Sequence, residues 1–408
     1  MDKLDIHNIG VRLRGFQAHI DNLPLECNRK HIKDFQKECY SQGLTECRVL
    51  FYIYRMVVLG RKISKDFKQV TKDEIKDIVT DIERNKDYSE WTKSGYKIAI
   101  KKFFQILHGN EWNSREFPEL VKWIRSKARE SKLDAPVILS KAEILKIFEV
   151  SEGIREKALC SFMYETGCRV PDELFHMKVS DVEFDLKSSS AMIKLKSGKV
   201  GTRKFTIVIS VPHLRSWIDN GHPKPTPDSY LWVNVGTRGH GKVMGYSSLV
   251  KIVNKWIMKA GINKDVTPYT FRRTRYTHLA PILPTPILYK IMGQVQGSAT
   301  IRRYLSLSTE DTEDAIFNFY GMPVKNNSNK NILPLFCPIC KNQAPPEKQF
   351  CPQCNTPLTE MAKIKVEEVR KTEMSEMMWE VIKKNMTEEQ LKEFAENMRK
   401  ENALKKSD

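Results

Sequence analysis

The hydrophobic positions of this chain follow helical spacing through most of its length. Between Ser89 and Leu107, the residues Tyr96, Ala99, Ile100, Phe103, Phe104 and Leu107 fall at i, i+3, i+4, i+7, i+8 and i+11, which predicts one amphipathic helix with that face packed inward. Residues 21–131 share this character and read as one helical domain, preceded by an N-terminal tail over 1–20. Ser131-Lys-Leu-Asp-Ala-Pro136 interrupts the pattern and predicts a linker over 132–137. Ser140-Lys-Ala-Glu143 is then a capping box that opens a helix toward Val150. Near Ser190 the period changes to two: Met192 and Leu195 precede a turn rich in Lys, Gly and Ser, and Phe205, Ile207 and Ile209 follow it, as in a β-hairpin. Helical spacing returns over Tyr246–Ala260 and Thr270–Leu279, with Pro268 just ahead of the second. A polar run, Val324–Lys330, ends this second domain, 138–322, and a linker over 323–333 leads to a cysteine cluster at 334–359. The tail, 360–408, has one helical stretch from Met361 to Met386 and another, opened by the capping box Thr387-Glu-Glu-Gln390, to Leu404. The fold class is therefore mostly α with a small β-sheet.

Charge adds a partner. The 408 residues carry a net charge of +18, an excess that points to a polyanion, and double-stranded DNA is the expected one. The last 49 residues hold 11 basic and 12 acidic side chains, so the excess lies elsewhere. Lys93, Lys97 and Lys101 recur every four residues beside the apolar face of the Ser89–Leu107 helix, with Lys102 flanking them; they read either as a stripe for a phosphate backbone or as an ordinary solvated face. No apolar run is as long as a membrane span and the N-terminus lacks a secretory pattern, so the expected location is cytoplasmic, on DNA. In the tail, Met377, Met378, Trp379, Val381 and Ile382 are too apolar to stay solvated, which predicts a partner helix or another subunit over them.

Cys337-Pro-Ile-Cys340 and Cys351-Pro-Gln-Cys354 are two knuckles separated by ten residues, the spacing of a tetrahedral four-thiolate zinc site. Two residues between thiolates let both sulfurs reach one ion. Four protein ligands leave no open position, so the expected zinc is structural, and a loop this short needs the metal to fold.

Cutting DNA without losing the energy of its backbone requires a nucleophile that keeps the phosphate in an ester, which tyrosine can do. Charge growing on the non-bridging oxygens is best met by the planar fork of arginine, and the departing 5′ oxygen needs a proton, which a hairpin lysine can deliver. Four segments supply these groups in order. They are Tyr164-Glu-Thr-Gly-Cys-Arg169 followed by Ser180-Asp-Val182, Leu195-Lys-Ser-Gly-Lys-Val-Gly-Thr-Arg203, Tyr269-Thr-Phe-Arg272, and Gly293-Gln294 with Thr300-Ile-Arg-Arg-Tyr304.

In these segments the chain resembles the tyrosine recombinases, the phage-integrase family, and especially archaeal integrases that carry a zinc ribbon after the catalytic domain. The resemblance implies a helical core-binding domain and a tyrosine-recombinase catalytic domain, then a zinc ribbon and a helical tail. It implies Arg169 and Arg272 as phosphate clamps, Tyr304 as the nucleophile that forms a 3′-phosphotyrosyl link, and Lys196 as the general acid with Lys199 as the alternative. The supporting acid is Asp172 or Glu173, since the box is one residue longer than usual; anchoring on Asp181-Val182 favours Glu173. Tyr269 stands where the family usually has histidine and Gln294 where it has histidine or tryptophan, so imidazole help is missing at both. His278 reads as a helix residue without a chemical role and Tyr320 as a weak second nucleophile. The implied protein is a site-specific recombinase, a tetramer on paired DNA sites, with no catalytic metal and no ATP. A catalytically inactive DNA-binding regulator and a type IB topoisomerase-like relaxing enzyme are the alternatives.

Overall fold

The structure, a computed structural model, describes residues 8–126, 137–185, 189–197, 201–237, 239–294, 313, 316–317, 320, 322, 332–385, 387 and 390. They divide into two units, a helical one at the N-terminal end and a second one beginning at residue 138.

In the first unit α1 (Ile9–Asp21), α2 (Glu26–Ser41), α3 (Glu46–Lys62), α4 (Lys72–Arg84), α5 (Glu90–Leu107) and the short α6 (Glu119–Lys122) enclose one apolar core. Helix α5 begins where its pattern predicts: the Ser89 hydroxyl accepts from the Thr92 N–H at 3.2 Å, and Tyr96, Ala99, Ile100, Phe103 and Phe104 are buried. Phe103 meets Phe35 and Phe67 edge-on at centroid distances of 5.3 and 5.1 Å, the arrangement aromatic quadrupoles favour. The N-terminal segment read as a tail is instead α1. Its Leu13, Phe16 and Ile20 fall at i, i+3 and i+7 on one helical face, and Ile20 is wholly buried.

The lysine stripe of α5 is not the exposed row that the charge pattern predicts. Lys97 is only 8% exposed and its ammonium lies 2.6 Å from Glu83 Oε1. Lys101 donates to the Ile124 carbonyl at 3.2 Å and sits over the Phe117 ring. Lys102 donates to the Trp112 carbonyl at 2.7 Å, and Lys93 pairs with Glu90 at 3.0 Å. Lys101 and Lys102 lie over aromatic rings and all four heads find an acceptor within the unit, which a four-residue repeat cannot distinguish from a row facing DNA. Burial lowers the pKa of both Lys101 and Lys102.

The second unit contains α7 (Lys141–Val150), α8 (Gly153–Thr166), α9 (Asp172–Phe175), β1 (Val182–Asp185), β2 (Ser190–Ser197), β3 (Gly201–Ile207), α10 (Val211–Ser216), α12 (Pro268–Leu279), α13 (Thr285–Met292), and two short strands β4 (Leu335–Phe336) and β5 (Gln343–Ala344); α11 (Tyr246–Lys259) precedes α12, and α14 (Glu360–Asn385) follows the strands. The Ser140 capping box is present, Ser140 N–H donating to Glu143 Oε2 at 2.7 Å and Glu143 N–H to Ser140 Oγ at 3.1 Å. Strands β1, β2 and β3 form an antiparallel sheet in that order, with Ile193 opposite Phe205 and Leu195 opposite Arg203. Ala191, Ile193 and Leu195 are buried while Met192, on the opposite face, is exposed. Helix α8 is buried continuously from Ala158 to Thr166. Its Glu165 carboxylate accepts from the N–H groups of Val208, Ile209 and Ser210 at 2.6–2.8 Å and from the Ser210 hydroxyl at 2.6 Å. One carboxylate thus ties the end of β3 and the start of α10 to the helix that carries the arginine box. The linker 132–137 and the polar run 324–330 lie outside the described residues, apart from Val137. Among those described, no helix is long and apolar enough to cross a membrane.

Candidate active site and metal centre

Helix α8 ends at Gly167, whose φ of 52° is the left-handed cap that glycine adopts without strain. The chain then turns through Arg169 into α9. Arg169 and Glu173 lie four residues apart across that turn, on one face. The Arg169 backbone N–H donates to Glu173 Oε2 at 2.6 Å and its Nη1 to Oε1 at 2.7 Å. Asp172, one residue earlier, is half exposed and faces His176. Glu173 itself has no exposed side-chain surface.

Arg272, in the second turn of α12, is 3% exposed. Its Nη1 donates to the Gly167 carbonyl at 2.6 Å and its Nη2 to the Met292 carbonyl at 2.5 Å. Arg169 Nη2 donates to the carbonyl of Gly293, which caps α13 with a φ of 57°. The two arginines therefore converge on the carbonyl-rich C-terminal ends of α8 and α13, where the helix dipoles favour cations. The approach is tight. A Cβ on Gly167 would lie 2.8 Å from Met292 Cε, and one on Gly293 would lie 3.0 Å from Arg203 Cδ and 3.1 Å from Arg169 Nη1.

A third guanidinium completes the cluster. Arg203, at an inward position of β3, places Nη2 2.6 Å from Glu173 Oε2 and Nε 3.3 Å from Oε1. Arg169 and Arg203 thus share one carboxylate, and with Arg272 beside them the cluster carries a net charge of +2. Burial first, then the charges of Arg169 and Arg203, push the Arg272 pKa down to about 10. Burial works to raise the Glu173 pKa, but the hydrogen bonds and charges of Arg203 and Arg169 prevail and hold it below the usual glutamate value. A cationic, carbonyl-braced cluster of this kind has the charge to stabilise an oxyanion.

The other predicted residues are placed as follows. Tyr269 is half-buried in the first turn of α12, its ring 5.2 Å from the Arg273 guanidinium. Gln294 directly follows Gly293, and its Oε1 is buried with no hydrogen-bond partner among the described residues. Lys196 Nζ sits 2.9 Å from the buried Asp181 carboxylate. Tyr304 and Lys199 lie outside the described residues. His278 Nδ1 is 3.0 Å from the Tyr164 hydroxyl, beneath the arginine box, and Tyr320 is 71% exposed. Sequence reasoning passed over Arg203 and Glu165. The alternation of β3 carried a signal for the first, because Arg203 shares its parity with Phe205 and Ile207.

The four cysteines come together. Cys337, Cys340, Cys351 and Cys354 place all their sulfurs within 4.8 Å of one another. Individual separations are 3.4 Å for Cys337–Cys354 and 3.5 Å for Cys340–Cys351 and Cys340–Cys354, near the roughly 3.8 Å edge of a tetrahedron with zinc–sulfur bonds of about 2.3 Å. The residue after each knuckle, Lys341 or Asn355, has positive φ (60° and 53°), so both turns close the same way. Thr356 Oγ1 lies 3.1 Å from Cys354 Sγ, and hydrogen bonds from Thr356 lower that thiol to about 6. An all-thiolate donor set of this size fits zinc. Between the knuckles Glu347 reaches His213 of α10, with Oε1 2.9 Å from Nε2 and side chains 3% and 8% exposed. The knuckle segment, α10 and the start of α8 line a cavity of about 750 Å³ that includes Lys157, Arg215, Lys341 and Lys348.

Comparison with known proteins adds four findings. Residues 138–311 match the family model described as the phage integrase family. A tyrosine recombinase from Pseudothermotoga lettingae is 26% identical over 258 residues, 62% of this chain and 83% of that protein. The tyrosine recombinase XerD of Staphylococcus epidermidis is 27% identical over 189 residues, 44% of this chain and 60% of that protein. Among solved structures, the XerH site-specific recombinase bound to a palindromic difH substrate superposes with a TM-score of 0.54 at 16% identity, covering 75% of this chain and 94% of that one. That likeness concerns the fold.

Proposed function

We propose that this protein is a phage-integrase-family enzyme, a site-specific DNA recombinase of the tyrosine class. The observation that carries the reading is the convergence of Arg169 and Arg272 on the ends of α8 and α13, in a cluster that Arg203 and Glu173 bring to a net charge of +2. The family match over 138–311 and the similar recombinases support it. In this reading the two arginines grip the non-bridging oxygens of the scissile phosphate, and Glu173 orients Arg169. Tyr304 attacks phosphorus, the bond to the 5′ oxygen breaks, and Lys196 leaves Asp181 to protonate that oxygen; Lys199 is the alternative donor. Tyr269 and Gln294 occupy the remaining positions and supply hydrogen bonds without an imidazole proton, so the arginines and the hairpin lysine carry more of the chemistry. The 5′ hydroxyl of a second strand then reverses the attack.

The reading calls for neither ATP nor a catalytic metal. It places a structural zinc on Cys337, Cys340, Cys351 and Cys354, where the ion supplies folding energy to a segment with little core of its own. A tetramer would act on two DNA sites, as in integration of a mobile element. The exposed Met374, Met377, Met378 and Val381 of α14 support a protein partner for the tail.

The test is covalent capture. The full chain is mixed with nicked duplexes of randomised sequence, and DNA that stays attached through detergent is sequenced. An active enzyme yields adducts that share one sequence, and Tyr304→Phe removes them. Adducts that survive this change overturn the nucleophile. Sequence-selective binding without any adduct favours the inactive regulator, for which the replacements at Tyr269 and Gln294 speak, and relaxation of supercoils lacking that sequence favours a topoisomerase.

A further inference from the structure

Arg203 is not explained by folding alone. It occupies an inward strand position, where an apolar residue of similar size is normally as stable or more so. One arginine suffices to pair a buried carboxylate, and Glu173 already receives both the backbone N–H and Nη1 of Arg169. Arg203 adds a second guanidinium to the same carboxylate, and its own Nη1 is buried with no hydrogen-bond partner among the described residues. Without it, Glu173 cancels Arg169 and leaves Arg272 as the single net charge. With it, the cluster is +2. A phosphodiester carries one negative charge, whereas the five-coordinate state reached on attack carries two.

We propose that Arg203 is a positioning residue that sets the charge of the phosphate site: by pairing with Glu173 it offsets the carboxylate's charge while Arg169 stays hydrogen-bonded to it, matching the +2 cluster to the dianionic transition state rather than to the bound diester. This rests on the recombinase reading above. Interactions that strengthen only in the transition state raise the rate with little change in binding. The closing experiment therefore separates the two. The duplex recovered by covalent capture is prepared with an ordinary scissile phosphate and with a methylphosphonate, which lacks one negative charge. On the ordinary duplex, Arg203→Met should slow single-turnover adduct formation by about 10²-fold, the scale of losing one preorganised charge donor, while DNA affinity changes less than about threefold. On the methylphosphonate the defect should shrink to within about threefold, and Arg203→Lys should recover most of the rate on the ordinary duplex. Arg203→Gln, which keeps an amide donor for Glu173, carries the same comparison should the methionine variant fail to fold. An equal defect on both duplexes, or none on either, overturns the proposal. Absence of any wild-type adduct on either duplex overturns the parent reading along with it.

Discussion

Arg272 and Gly167 are joined by a 2.6 Å hydrogen bond from the guanidinium to the carbonyl that closes α8, so Arg272 is registered against the same turn that delivers Arg169. Two glycines with left-handed φ, Gly167 at the end of α8 and Gly293 at the end of α13, shape this region, and its geometry has little slack. Gly293→Ala places a Cβ 3.0 Å from Arg203 Cδ and 3.1 Å from Arg169 Nη1, at a φ of 57°. Such strain costs about 1–3 kcal/mol. Urea denaturation should show that loss, and adduct formation should fall by about tenfold or more because Arg169 is displaced.

Glu173 links stability to pH. Its folded pKa lies below the unfolded value of about 4.3, so its contribution is complete above that value and is lost as pH falls through the lowered folded one. Wild-type stability should therefore drop from about pH 5 downward, and Glu173→Gln should flatten this limb in acid titrations followed by circular dichroism. At neutral pH the same change breaks a buried pair and should cost about 3–5 kcal/mol.

Lys97 provides a test of the first unit. Because its ammonium is bound to Glu83 at 2.6 Å, Lys97→Met should alter stability but leave the salt dependence of DNA binding as it is. A phosphate-binding lysine would instead reduce the slope of log K against log salt by about 1. Mobility-shift assays across a salt series decide between them.

The cysteine cluster predicts one zinc per chain by elemental mass spectrometry. Removing it with a chelator, or changing Cys340 to Ser, should expose 332–359 to protease, since metal binding and folding of such a segment are one event. Retention of the protease-resistant ribbon without metal would contradict the assignment.

Much of this was legible in the residues, and the limits have physical causes. Period and caps marked α5, the Ser140 box and α12, because those signals are local. The arginine boxes and the paired knuckles stood out because their chemistry needs particular residues at particular spacings. The exposure of the α5 lysines was not legible, since a repeat of four puts charges on one face without saying what lies opposite. Arg203 was missed for a related reason: a single cation in a strand looks solvated until its parity with Ile207 is noticed. Helix α1 was missed because its apolar face is only three residues wide. Glu165 reads as an ordinary acid, and only the fold brings three backbone N–H groups and a hydroxyl around it.

The buried contact between Glu347 and His213 bears on the engineering of this chain. An appendage that merely trails from an enzyme can be lost or exchanged freely. Here the knuckle segment packs on α10 through that contact, and a truncation ahead of residue 334 would remove the carboxylate that faces the His213 imidazole. The knuckle segment and α10 thus cover one another, and a transplant of either is expected to succeed only when the other travels with it.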